Sequence, residues 1–195
     1  MNSNPRRFHP IVRCVALLLA AVMINSPAQA AFHLWQIREV YSDSSGSLQF
    51  IELFTSSDFQ NDVGGQQISV TSGTTHTFTL PGGSLGGSTS GHALLFGTAG
   101  IQAAGGPAPD YVIPSNFLFT GGGTISFFGA NSGPYTALPT DGSLSRTWTG
   151  GNAVNSPQNY EGQTGVVAVP EPATSALLAA GAIGCLFWIR RRKVN

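Results

Sequence analysis

Phe32-His-Leu-Trp-Gln-Ile-Arg-Glu-Val-Tyr41, then Asp43-Ser-Ser-Gly46, then Phe50-Ile-Glu-Leu-Phe54, is the stretch that decides the fold. In the first run Leu34, Gln36 and Arg38 fall on one side and Trp35, Ile37, Glu39 and Tyr41 on the other. That period of two is the signature of a β-strand. The Asp/Ser/Gly cluster is a turn signal, because short polar side chains bond their own backbone there. Phe50–Phe54 follows as a second strand.

Working outward, the same kind of short run recurs at Gln67–Val70, His76–Leu80, Ala93–Phe96, Asn116–Phe119, Thr124–Phe128 and Leu144–Trp148. Gly, Pro, Ser and Asp clusters separate them, and no stretch holds a helical period for more than two turns. Eight or nine such strands predict a mainly β fold, a sandwich or barrel. Ile37, Val40, Ile51, Leu53, Ile68, Phe78, Leu80, Leu94, Phe96, Ile125 and Phe127 would fill one core.

Ile37-Arg-Glu-Val40, Phe50-Ile-Glu-Leu53, Gly65–Ile68, Thr77-Phe-Thr-Leu80 and Ala93-Leu-Leu-Phe96 together resemble the lamin-tail domain over most of residues 34–150. The tryptophan often found after the second strand of that family is missing. The resemblance implies an immunoglobulin-like β-sandwich and a role in interaction rather than catalysis.

The ends of the chain carry its address. At the front, Arg6 and Arg7 precede the stretch Ile11–Ile24, apolar except for Arg13, and Pro27-Ala28-Gln29-Ala30 gives a small-x-small cleavage pattern. Residues 1–30 therefore read as a signal peptide, cut between Ala30 and Ala31 after export by the general secretion machinery. Cys14 lies inside the apolar run, which argues against lipoprotein attachment. At the back, Val169-Pro-Glu-Pro172 precedes an uncharged run from Ala173 to Ile189 and then Arg190, Arg191, Arg192 and Lys193. As a helix, residues 173–189 would span about 25 Å, the short end of what a bilayer accepts. The basic cluster then acts as a membrane stop with the C-terminus in the cytoplasm. Pro170 and Pro172 fix their own φ, and Pro172 keeps Glu171 out of the helical region. An extended peptide at the interface suits a peptidase cleft, and a plain anchor boundary accounts for the prolines equally well.

Val169-Pro-Glu-Pro172, a short apolar helix and a terminal basic cluster, in that order, resemble the PEP-CTERM sorting signal of Gram-negative bacteria. The resemblance covers residues 169–193. It implies an exosortase-type processing enzyme as partner, with the inner membrane holding the precursor. The same C-terminal region occurs on some bacterial ice-binding proteins, so the tail does not define the cargo.

Composition narrows the role. Only 9% of residues are charged and 25 of 195 are Gly. Between residues 31 and 168, two basic side chains (Arg38, Arg146) stand against eight acidic ones, a net of −6. A Lys-free acidic domain lacks the basic cluster that nucleic acid requires. Cys14 and Cys185 both lie outside it, so it has neither a disulfide nor a thiolate site.

Among polar residues, Glu39 and Glu52 sit on neighbouring strands and could form a glycosidase-type carboxylate pair, which needs a cleft and a defined separation. The plainer reading makes them solvent-facing, or has one cap a loop backbone. His33, His76 and His92 show no metal spacing. Asp43-Ser-Ser-Gly46 and Asp58-Phe-Gln-Asn61-Asp62 could offer oxygens to Ca²⁺, but neither matches an EF-hand loop and turns bonding their own backbone explain both. No cofactor is expected. Thr75, Thr77 and Thr79 share one strand face; an ice-binding surface would repeat that row on adjacent strands, and no fixed repeat is visible in the sequence. Residues 150–168, rich in Gly, Asn and Gln, read as a spacer after a domain at 31–149, with Tyr160 available to pack back on it. The resulting expectation is a non-catalytic exported envelope or matrix protein that binds polysaccharide or surface proteins. The alternatives are an adhesin, a polysaccharide- or ice-binding module, and an exported hydrolase.

Overall fold

The computed structural model describes residues 32–169. The expected signal peptide with Ala28, Ala30 and Ala31 lies outside the described residues. So do Pro170, Glu171 and Pro172, the expected transmembrane segment 173–189, and the stop residues Arg190, Arg191, Arg192 and Lys193. Among the described residues there is no helix. Ten strands form two sheets: β1 (Gln36–Ser42), β2 (Gln49–Thr55), β3 (Gln67–Ser72), β4 (Thr74–Thr79), β5 (His92–Gly97), β6 (Tyr111–Val112), β7 (Gly123–Phe127), β8 (Asn131–Tyr135), β9 (Leu144–Thr147) and β10 (Asn152–Val154). The larger sheet has the order β10-β9-β1-β2-β5-β6 and the smaller one β4-β3-β7-β8. All pairings are antiparallel except β5 with β6.

The strand alternation predicted from residue 34 breaks at one residue. The β1–β2 register shifts between Ile37 and Glu39, so Arg38 is the extra residue of a β-bulge. Ile37 and Val40 therefore both face inward, while Glu39 and Tyr41 turn to the outer side of the larger sheet. The inner faces of the two sheets share one core, in which Ile37, Val40, Ile51, Leu53, Leu94 and Phe96 meet Ile68, Val70, Ile125 and Phe127. Trp35 is fully buried there and donates Nε1–H to the Gln60 carbonyl at 2.9 Å. Of the expected core residues only Phe78 is half-buried.

The larger sheet also has a covered outer face. Tyr41, Phe50 and Leu95 pack there with Ile101 and Val167 as a second apolar cluster. Val167 belongs to the segment expected to be a spacer, and that expectation is corrected. Residues 152–154 pair with β9 as an edge strand, and residues 155–169 run back as a strap across the sheet. Two of its asparagines are buried: Asn155 and Asn159 are 0% and 3% exposed. Tyr160 packs back as expected, stacking near His92 with ring centres 4.7 Å apart. At Gly165 the strap passes so close to the 100–106 turn that a Cβ would lie 2.3 Å from the Gly105 carbonyl oxygen.

Candidate functional site

The bulge at Arg38 helps build a buried polar cluster. Glu39 and Glu52 are cross-strand partners, but neither faces solvent, at 5% and 0% exposure. Glu39 Oε1 accepts from Ser145 Oγ at 2.5 Å and from the Ser156 backbone N–H at 2.9 Å. Glu52 Oε2 accepts from the Gln158 N–H at 3.2 Å, and its other oxygen faces the Arg38 guanidinium in an ion pair. Arg38 stacks over the Phe54 ring at 4.9 Å and donates to Gln158 Oε1 at 3.2 Å. The reading in which a glutamate caps a loop backbone therefore describes both residues; the solvent-facing reading is corrected. The strap covers both residues on the outer face of the sheet.

A third carboxylate completes the set. Asp110 Oδ2 accepts from the Leu95 N–H at 2.8 Å, and both its oxygens accept from the Tyr160 N–H at 3.1 and 2.9 Å. Glu39, Glu52 and Asp110 thus hold the alternate peptide N–H groups of Ser156, Gln158 and Tyr160. Charged acceptors on backbone donors make strong bonds, and a buried carboxylate without them would be costly. Burial pushes the Glu52 carboxyl up to about 7, with Arg38 opposing and Glu39 reinforcing the rise. Burial also raises Asp110, against the hydrogen bonds from Leu95 and Tyr160. Their roles were not legible in the sequence, since the strap residues they bind lie 50 or more positions away.

Beside this cluster lies an open groove of about 470 Å³, lined by Arg38, Glu39, Phe54, Thr147 and Trp148 among others. Trp148 lies flat enough on β8 that only Gly133 fits beneath it, a Cβ there standing 2.7 Å from Cζ2. Glu39 reaches the groove wall with its oxygens already bonded to Ser145 and Ser156. Glu52 has no exposed surface.

The other acidic clusters close on themselves. Asp43 accepts from Ser45 Oγ at 2.6 Å, Ser47 Oγ at 3.0 Å and the Leu48 N–H at 3.1 Å. Asp58 Oδ1 accepts from the Phe59 and Thr89 N–H groups at 2.8 and 3.0 Å. Among the described residues, His33, His76 and His92 join no group of three or more His, Cys, Asp or Glu side chains that could hold a metal. His76 Nδ1 pairs with the Phe117 carbonyl and His92 Nδ1 with that of Tyr160.

The outer face of the smaller sheet is open, and threonine and serine side chains line up across its strands. Cross-strand register aligns Thr75, Thr71, Thr124 and Pro134 in one line, and Thr77, Ser69, Ser126 and Ser132 in the next. Thr71 and Thr75 hydroxyls bond each other at 2.9 Å. The alignment was invisible in the sequence because β7 and β8 lie far along the chain from β3 and β4, and only the pairing register brings them side by side.

The last described residues lie against the domain. Asn155 pairs reciprocally with Val167: Oδ1 accepts the Val167 N–H and Nδ2 donates to its carbonyl, both at 2.7 Å. The Ala168 N–H then bonds the Ala104 carbonyl at 3.0 Å and the Val169 N–H that of Gly142 at 3.2 Å. Neither the curated proteins nor the solved structures give a match to the chain. The lamin-tail likeness is not among the matches found. A family model does match at this end: residues 168–193 fit the PEP-CTERM protein-sorting motif, beginning where the strap is clamped, and this implies an exported chain anchored at its C-terminus and processed by an exosortase.

Proposed function

We propose that this is a non-catalytic cell-envelope or extracellular-matrix protein, carried outward on the exosortase route, whose β-sandwich serves as an interaction module of the lamin-tail, immunoglobulin-like type. The observation that carries the sorting part is the motif at residues 168–193. The non-catalytic part is supported by the state of the carboxylates. A retaining or inverting pair must reach the scissile bond from both sides, whereas Glu39 and Glu52 are bonded to the strap and Glu52 is sealed from solvent. Purified residues 31–169, which hold the whole described core, are expected to give binding without turnover when screened on glycan arrays and hydrolase substrates. Turnover that disappears in Glu39→Gln or Glu52→Gln would replace the binding module by a hydrolase.

The threonine rows favour a second reading, a module that binds ice. Side chains on neighbouring strands stand about 4.8 Å apart and those at i and i+2 about 6.7 Å apart, so the two rows, hydroxyl-bearing except at Pro134, form an uncharged grid. Such a grid suits a partner that is itself a lattice of water hydrogen bonds. On this reading residues 31–169 depress the freezing point below the melting point, and a lysine placed centrally (Ser69→Lys) abolishes the gap. Equal freezing and melting points for the native domain would end it.

A further inference from the structure

We propose that Asn155, together with the Ala104 and Gly142 carbonyls, is a clamp that must open before Pro170-Glu171-Pro172 can be taken up by its processing enzyme. The inference rests on the sorting role proposed above and adds a step to it on the substrate side.

The motif follows the clamped residues directly in sequence. Val169 is bonded to Gly142 and is covalently joined to Pro170. At no more than about 3.6 Å per residue, Pro172 lies within about 11 Å of Val169. A cleft that takes an extended peptide pairs with the backbone on both sides of its target. The backbone on the domain side is already engaged: the Val167 N–H and carbonyl by Asn155, the Ala168 N–H by Ala104, the Val169 N–H by Gly142. Enzyme and domain compete for the same groups.

The clamp is also built to stay shut. Asn155 is fully buried and anchored by its own N–H and Nδ2 on the Ser143 carbonyl, at 3.0 and 2.6 Å. Val167 is fully buried between Tyr41, Phe50 and Ile101. The Gly142 carbonyl that holds Val169 is itself fixed by the Tyr41 hydroxyl at 3.2 Å. Lifting residues 167–169 exposes Val167 to water, so the open form is a minor population, and the apparent affinity for the enzyme falls by that fraction. Until the domain folds the clamp does not exist, so folding and processing compete in time.

The test is a pulse-chase of the full chain in cells that carry the processing enzyme, following loss of the tail by mass. Four chains are compared: native, a twelve-residue Gly/Ser insert between Val169 and Pro170, Asn155→Ala, and the two combined. The insert leaves the clamp intact but moves the motif clear of it, and is expected to speed processing about tenfold. Asn155→Ala removes both bonds to Val167, and losing two bonds of ordinary strength is expected to speed the native chain about tenfold or more. With the insert present the same substitution should add nothing. An insert that leaves the rate unchanged, or lowers it, overturns the clamp whatever Asn155→Ala does to folding. A native chain that keeps its tail with and without the enzyme sinks the sorting role instead. In that event the clamp is read by amide exchange at residues 167–169 in native and Asn155→Ala chains, and equal exchange overturns it.

Discussion

Chemical denaturation of the exported domain is expected to show stability falling as pH rises from about 4.5 to 7.5, by about 3 kcal/mol. The source is Glu52. Burial raises its folded-state pKa from 4.5 to about 7, so the folded protein holds this proton more tightly than the unfolded chain does. The stabilisation is complete below the unfolded value and is lost as pH climbs through the folded one. Asp110, raised by burial, acts in the same direction. Three other carboxylates work against acid. Burial pushes Asp43 up, but its bonds from Ser45, Leu48 and Ser47 outweigh this and lower it. Asp58 is lowered by the Phe59 and Thr89 N–H groups, and Asp141 by those of Leu144 and Ser143. Their contributions vanish as pH falls, which leaves the maximum of stability near pH 4 to 5. Glu52→Gln keeps the shape and an acceptor for the Gln158 N–H, and is expected to remove most of the decline above pH 4.5. Denaturation midpoints at a series of pH values check both statements. A native profile that is flat or rising over this interval contradicts the assignment.

The fold was legible where local pattern and burial agree. Period two over residues 36–41 and 50–54 located β1 and β2, and ten of the eleven expected core residues are buried. It was not legible where a side chain does work that another part of the chain defines. The bulge at Arg38 turns Glu39 to the outer face, and nothing in Ile37-Arg-Glu-Val40 announces it. Phe117 and Leu118 look like strand residues, yet 116–119 is irregular: Asn116 takes a positive φ of 58° and Gln49 holds the Leu118 N–H at 2.9 Å. Asn131-Ser-Gly-Pro-Tyr135 looks like a loop and is an edge strand, where proline lacks an N–H that the sheet does not need. The strap was misread for the same reason: a low-charge Gly/Asn segment resembles a linker until its asparagines are seen to replace backbone partners. The sorting motif was the opposite case. Its parts are contiguous, so the resemblance to a known sorting signal could be seen in the sequence, where physical reading alone left a plain anchor equally good.

Replacing Pro170 and Pro172 by Ala is expected to stop processing, with a product of residues 31–195 accumulating in the inner membrane. The prolines lock φ near −65° and keep Glu171 in the extended region, so the peptide that follows Val169 reaches the enzyme already in the form a strand-adding cleft accepts. Alanine removes both restraints and has the highest helix propensity, so the apolar run can extend back toward Val169. The peptide N–H and carbonyl of Glu171 would then be taken by helical bonds, and the ordering cost would fall on the enzyme. If the segment were only the edge of an anchor, the same change would matter little, because a helix longer by a turn still fits the bilayer. Substituting Arg190, Arg191 and Arg192 by Ser separates the two roles: it removes the charge that stops transfer and orients the tail, and leaves the extended peptide as it was. Retention should weaken there while cleavage of correctly placed chains persists. Mass measurement of the mature protein from cells with and without the processing enzyme decides. Loss of residues beyond the motif only when the enzyme is present, and only when the prolines are present, is the expected result; a native mass that includes residues 173–195 in both strains would make the tail an ordinary anchor.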